Sequence, residues 1–146
     1  MKTVSVVCAW VMRADGRILL VRKANTALFL FPGGKPEPGE TAEETLRREI
    51  VEELGCALRF EHDRWPGDVL RAPAANEAGF DVEATLLQVE LDGLFSARAE
   101  IAEIAWMDRA GRDDDGRLLP CAPLTDVAWS AYDGWMISAK SSARRA

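Results

Sequence analysis

The sequence predicts an α/β protein with a mixed β-sheet between helices. The expectation rests on two patterns. Short runs rich in Val, Ile and Leu recur between turn residues, as strands do. One internal segment and one terminal segment instead space their apolar residues for helices, so each face of a sheet has a cover. At 146 residues with 48% hydrophobic content, the chain has the size of one domain with a full core. That domain is expected over residues 1–140, with 141–146 as a frayed tail.

The elements follow in order. Val4–Met12 is apolar on both faces, which suits a strand inside a sheet covered on both sides. Asp15-Gly16 is a two-residue turn, with Arg17–Lys23 as the partner strand. A short apolar piece, Phe29–Phe31, leads into Pro32–Gly39, whose prolines and glycines predict irregular chain. Thr41-Ala-Glu-Glu44 is a capping box that opens a helix over Glu40–Leu54. Leu46, Ile50 and Leu54 form its buried stripe, and Gly55 stops it. Strands are expected at Leu58–Trp65, Asp68–Arg71, Phe80–Leu91 and Glu103–Met107. His62 reads as a surface residue, and Trp65, before Pro66, as partly exposed; the other tryptophans and the cysteines read as packing residues. Asp113-Asp-Asp115 lies in a solvated loop, and a last helix runs from Thr125 or Asp126 to about Ala139.

Composition removes several functions. A net charge of −6 and a pI near 4.9 argue against a nucleic-acid binder, which needs a basic face. One histidine excludes a His dyad or a multi-His metal site. Three widely spaced cysteines make no disulfide framework, which fits a reducing, cytoplasmic setting. No run reaches the roughly 18 apolar residues of a membrane span. The start resembles a short signal peptide, but no cleavage site follows, so it reads as the first strand.

The helix over 40–54 is the informative element. It carries six glutamates against Arg47 and Arg48, so most of the net charge sits there. Glu49, Glu52 and Glu53 share one side at i, i+3 and i+4 spacing. Glu53 falls seven residues after Leu46, almost on the apolar stripe, so it points at the core edge. Carboxylates this close repel unless a proton, an arginine or a divalent cation compensates, and Arg48 compensates for only part. Oxygen-only ligands point to a hard cation, Mg²⁺ or Mn²⁺, which completes its shell with water and substrate phosphates. The Gly33-Gly34 turn brings backbone close to the same place. Together these suggest metal-assisted phosphate chemistry. A salt-bridged surface helix is the plainer alternative, and the position of Glu53 weighs against it.

Gly34, Glu40, Arg48-Glu49-Ile50, Glu52-Glu53 and Gly55 stand at the spacing G-x5-E-x7-R-E-U-x-E-E-x-G-U, with U a bulky aliphatic. This resembles the Nudix box. Every fixed residue is present, and Cys56 at the last aliphatic position is the one departure. The box covers 23 of 146 residues, and the flanking order of elements also resembles the family's α/β/α sandwich. The resemblance implies hydrolysis of a nucleoside diphosphate linked to another group, with Mg²⁺ or Mn²⁺. By resemblance, Glu49, Glu52 and Glu53 are metal ligands, assisted by the Gly33 carbonyl and Glu40, and Arg48 orients Glu49. The general base is Glu49 or a glutamate on a later loop, Glu100 or Glu103.

Specificity lies outside the box. Phe31-Pro-Gly-Gly-Lys35 resembles the lead-in of MutT-like enzymes that cleave nucleoside triphosphates, oxidised ones included, to a monophosphate and pyrophosphate. Gly34 and Lys35 are therefore candidate substrate contacts. Pro73, seventeen residues past Cys56, keeps an ADP-ribose or nucleotide-sugar pyrophosphatase open. Phe29 either stacks on a base or packs in the core. Asp126 either reads a base edge or caps a helix. Asn76-Glu77 either borders the pocket or forms a turn. A nucleotide-binding regulatory module without catalysis is the reading of another class, and the complete set of box glutamates speaks against it. The implied partner is a small nucleotide, with no nucleic acid and no membrane. Relatives are often homodimers, but no segment here identifies an interface.

Overall fold

A computed structural model of the chain describes residues 2–61 and 63–145, with side-chain surroundings up to residue 142. His62 lies outside the described residues. In chain order the elements are β1 (Lys2–Trp10), β2 (Ile18–Lys23), β3 (Phe29–Leu30), β4 (Gly33–Gly34) and α1 (Ala42–Leu54). They continue with β5 (Ala57–Arg59), β6 (Asp68–Pro73), β7 (Phe80–Gln88), β8 (Glu90–Asp92), β9 (Ile101–Met107) and α2 (Leu124–Arg145).

One sheet, ordered β4-β1-β7-β6, is mixed: β1 runs parallel to β7 and the other pairs are antiparallel. A second, β3-β2-β9, is antiparallel, and β5 and β8 form a small ladder. Successive residues of β1 and β2 face opposite ways. Val7, Ala9, Leu19 and Val21 pack with Leu46, Ile50 and Leu54 of α1. Cys8, Trp10, Ile18 and Leu20 pack with Trp129 and Tyr132 of α2. The strands' two-faced apolarity thus becomes the expected sandwich, with one helix on each side. Trp10 centres the α2 side, with Tyr132 stacked at 5.0 Å and Trp129 edge-on at 4.8 Å. Such aromatic pairs add about 0.5–1.5 kcal/mol beyond the area they bury.

Several boundaries differ from expectation. The Asp15-Gly16 turn forms, with the Arg13 N–H donating to the Arg17 carbonyl at 2.7 Å. However, β2 is not the partner strand of β1. After the Met12–Ile18 bridge the two part, and β2 pairs with β3 and β9. Each is apolar on both faces, so each is stable inside its own sheet. The 32–39 segment is not wholly irregular: Gly33 and Gly34 pair with Cys8 and Val7. Only glycine permits that approach, because a Cβ on Gly33 would lie 2.0 Å from the Val7 carbonyl oxygen. The strand expected at 58–65 ends at Arg59, and Trp65 is buried, edge-on to Trp10 at 5.6 Å. The strand expected at 80–91 breaks at Val89, whose N–H turns to the Trp10 carbonyl while β8 leaves to pair with β5. The last helix runs to Arg145 rather than to about Ala139.

Candidate active site

The capping box forms as the sequence predicts. Thr41 Oγ1 accepts from the Glu44 N–H at 3.1 Å, and Glu44 Oε1 accepts from the Thr41 N–H at 3.2 Å. At the other end Gly55 adopts φ +71° and donates to the Ile50 and Val51 carbonyls. With both ends set, Leu46, Ile50 and Leu54 sink into the core and carry Glu53 with them. Glu53 is 3% exposed. Its Oε1 accepts one hydrogen bond, from the Gly33 N–H at 2.9 Å. The β1–β4 pairing leaves that N–H free, because the Ala9 N–H bonds to the Pro32 carbonyl instead.

Burial pushes the Glu53 carboxyl up to about 7, and repulsion from Glu49 and Glu100 adds to the rise against the opposing Gly33 N–H and Lys23. Burial also raises Glu49, against the pull of Arg48. Arg48 is the organiser of the group. Its Nε and Nη2 bond both oxygens of Glu40 at 2.8 and 2.9 Å, and Nη1 bonds Glu49 at 2.9 Å. Nη2 also donates to the Lys35 carbonyl at 3.0 Å, tying the glycine segment to the helix. The Arg48 guanidinium and the Glu37 N–H hold Glu40 down at about 2.

Glu49 and Glu53 open into a cleft of about 450 Å³ between the two main sheets. Gly33, Gly34, Lys35, Arg48 and Glu100 line the same end, and Val4, Val6, Val82, Leu30 and Leu124 form an apolar stretch. The segment 73–77, with Asn76 and Glu77, closes one side. A Cβ on Gly34 would lie 2.5 Å from the Glu49 carboxyl, so the glycine leaves the space into which that group projects. Five carboxylates and three cations line the cleft, an acidic balance for a phosphate site.

The remaining candidates divide. Glu52 has a 55% exposed side chain 3.6 Å from Arg48, outside the cleft lining. Glu40 is also outside the lining, with both oxygens engaged by Arg48, Thr45 and the Glu37 N–H. Glu100 lines the cleft, with its carboxylate 3.3 Å from Lys23 Nζ. Glu103 does not: it faces away, paired with Arg22 at 3.3 Å and with Arg117, which holds its carboxyl low. An acid fixed between two arginines on another surface cannot serve as this cleft's base. Phe29 is 2% exposed and packs in the α2-side core, so it offers no face to a base; its neighbours Leu30 and Phe31 line the cleft. Asp126 is an exposed first-turn residue of α2, neither its cap nor a lining residue. Cys8 lines the floor, but burial lifts its thiol to about 12, which leaves it a packing group.

Lys23 is the functional candidate that sequence reasoning missed. It ends β2 beside Glu100 and lines the cleft. Its only signal was a cation closing an apolar strand, which is also how surface lysines look.

The donors fit a hard divalent cation. They are all oxygen, and the buried Glu53 carboxylate has one hydrogen-bond donor and no arginine. Among the described residues, no three His, Cys, Asp or Glu groups are gathered as a preformed cage.

The fold and this helix together define a Nudix-type α/β/α sandwich, with acids carried past a glycine strand edge into a cleft. The family profile described as NUDIX domain matches residues 1–111, and the chain belongs to the Nudix family. A Bacillus subtilis (strain 168) protein provisionally named 8-oxo-dGTP diphosphatase is 47% identical over 45 residues, 31% of this chain and 30% of that one. The CTP pyrophosphohydrolase of Escherichia coli (strain K12) is 44% identical over 59 residues, 38% of this chain and 43% of that one. The chain therefore matches less than half the length of either. The MutT NUDIX hydrolase from Burkholderia pseudomallei superposes with a TM-score of 0.66 at 24% identity, over 88% of this chain and 96% of that one, a likeness of fold.

Proposed function

We propose that the protein hydrolyses nucleoside triphosphates, oxidised ones included, to a nucleoside monophosphate and pyrophosphate. The observation that carries this is Glu53, a buried carboxylate short of cations at the floor of an acidic cleft. A polyphosphate would be repelled there unless a divalent cation entered with it. Glu49 and Glu53, which open into the cleft, would hold Mg²⁺ or Mn²⁺ with Gly33 beside them; Glu52 would join them only by turning in from its exposed place beside Arg48, and Glu40 serves by fixing Arg48. The metal supplies charge neutralisation of the diphosphate and a water of lowered pKa.

The chain's own groups do the rest. Arg48 fixes the rotamer of Glu49. Glu49, held by Arg48 at the mouth of the space that Gly34 leaves, takes the proton of the attacking water. Glu100 is the competing base, although Lys23 holds it. Lys23 and Lys35 offset phosphate charge, and the apolar stretch from Val4 to Leu124 receives the base. The names of the 8-oxo-dGTP and CTP relatives support a triphosphate. Pro73 on the cleft wall supports the second reading, ADP-ribose or a nucleotide sugar.

The test is incubation with Mg²⁺ and a panel of canonical and oxidised (d)NTPs, ADP-ribose and dinucleoside polyphosphates. A Glu52→Gln/Glu53→Gln variant is the control. Monophosphate plus pyrophosphate from triphosphates, lost in the variant, is the expected result. Cleavage of ADP-ribose alone would move the substrate, and binding without turnover would move the class to a regulatory module.

A further inference from the structure

The two ends of the cleft differ chemically, and the register of β1 shows how they are ordered. Val4, Val6 and Cys8 share one face of that strand. Cys8 is paired with Gly33, next to Glu53, while Val4 is paired with Val82. Four residues of strand separate the two ends by about 13 Å. This is about the reach of a nucleotide from its phosphates to its base.

The β6–β7 connection stands at the Val4 end, because β6 finishes at Pro73 opposite Asp81 and β7 starts at Phe80 opposite Lys2. Two hydrogen bonds fix it: the Ala74 N–H to the Phe80 carbonyl at 2.9 Å, and the Phe80 N–H to the Glu77 carbonyl at 3.2 Å. Pro73, Ala74 and Ala75 give it an apolar wall, and Asn76 and Glu77, both exposed, are the polar residues of its lining. Lys35 follows Gly34, which pairs with Val7, and Glu37 lies 3.8 Å from Arg48, so both belong nearer the carboxylate end. Asn76 both donates and accepts, so it favours no sign of partner. Glu77 in its ionised form only accepts. An acceptor-only group facing a base is satisfied by an exocyclic amine and repels a carbonyl oxygen.

We propose that Glu77 selects the base: its carboxylate accepts from the exocyclic amino group of cytosine, adenine or guanine and discriminates against uracil and thymine. The assignment rests on the nucleotide reading of the cleft. CTP and UTP are the decisive pair, since their rings are the same size and differ in the amine or carbonyl at one position.

The experiment measures kcat/KM for CTP and UTP with Mg²⁺, and separately the affinities of CMP and UMP by calorimetry. The wild type, Glu77→Gln and Glu77→Ala are compared. The wild type is expected to favour cytosine about tenfold in both measurements, the effect of one charged but exposed hydrogen bond. Glu77→Gln brings the ratio near one by improving the uracil nucleotide, because an amide also donates. Glu77→Ala brings it near one by weakening the cytosine nucleotide. A merely structural loop residue would weaken both nucleotides alike and leave the ratio unchanged. A ratio near one in the wild type, or one that survives Glu77→Gln, overturns the assignment. Turnover without discrimination leaves the hydrolase reading standing and removes this one. Discrimination between CMP and UMP without turnover of any triphosphate does the reverse.

Discussion

Two of the regions where carboxylates gather, the 108–118 loop and the cleft, are neutralised differently. Around the 108–118 loop the acids other than the exposed Asp115 each have an arginine. Asp114 lies 2.6 Å from Arg13, Asp15 lies 2.7 Å from Arg13 and 2.9 Å from Arg17, and Asp113 lies 3.1 Å from Arg117. Glu103 is shared by Arg22 and Arg117. These arginines hold Asp114, Asp15 and Glu103 below the usual carboxylate range. In the cleft, Arg48 is spent on Glu40 and Glu49, Lys23 is paired with Glu100, and Glu53 has a backbone N–H alone. Paired acids at a surface are a matter of local order, worth little in stability. A buried acid short of cations is a standing cost, and such costs concentrate where a ligand arrives to relieve them.

The largest expected effect comes from removing the unpaired acid. Glu53→Gln should lower kcat/KM by at least about a hundredfold. In the metal-free protein the same change should stabilise the fold at pH 8. The native Glu53 carboxyl keeps its proton up to about pH 7, while the unfolded one loses it near 4.5. Between those values the native state binds more protons, so its stability falls as pH rises through the window. Thermal melts of wild type and variant should therefore converge near pH 4 and separate by pH 8, by roughly 3 kcal/mol at most. Parallel curves would show that Glu53 already has a partner and would dissolve the contrast between the two regions.

Metal should act on the same imbalance. Adding Mg²⁺ should raise the melting temperature, by about 2.7 kcal/mol of stability at a hundredfold excess over Kd. The rise should be larger at pH 8 than at pH 5, because a protonated Glu53 is a poor ligand. A chelator should remove both the rise and the turnover.

Gly34→Ala sharpens the geometric side. Its Cβ would meet the Glu49 carboxyl at 2.5 Å, so the acid must move. Activity should fall roughly ten- to hundredfold with the far-UV circular dichroism unchanged. Unaltered kinetics would mean that the position of Glu49 is not used.

The smallest effects belong to the paired region. Glu103→Gln should leave activity within about twofold and lower stability by no more than about 1 kcal/mol, less in high salt. A large loss of turnover there would return Glu103 to the reaction and erase the distinction.

Much of the carboxylate helix was legible in the sequence because its determinants are local. The capping box, the four-residue apolar spacing and the Gly55 stop all act within one turn of the residues that show them, and they alone place Glu53 at the core edge. Less of the sheet was legible. Nothing near the Asp15-Gly16 turn says that the strands on either side separate into different sheets, since that depends on β7 and β9, more than sixty residues downstream. The alternatives left open at Phe29, Asp126 and Glu103 needed the same long-range information. Residue type and spacing make each plausible at a nucleotide site, but only the packing shows Phe29 turned to the core and Glu103 held by Arg22 and Arg117. Lys23 went unseen because a cation at a strand end acquires meaning only when Glu100 and the carboxylate helix come to meet it.

By itself the sequence determined the class of fold, the helix with its acids, and the oxygen-only chemistry they offer a metal. Each follows from periodicity, capping and residue type, which act over a few positions along the chain. Tertiary structure decided which acids share the cleft, which are silenced by arginines, and which end of the cleft faces Asn76 and Glu77. Those outcomes depend on pairings between distant segments: β1 beside β7, and β4 wedged against β1 by two side-chain-free residues. Charge is written in the sequence, but its neutralisation is a property of distance, and distance between remote residues exists only in the folded chain.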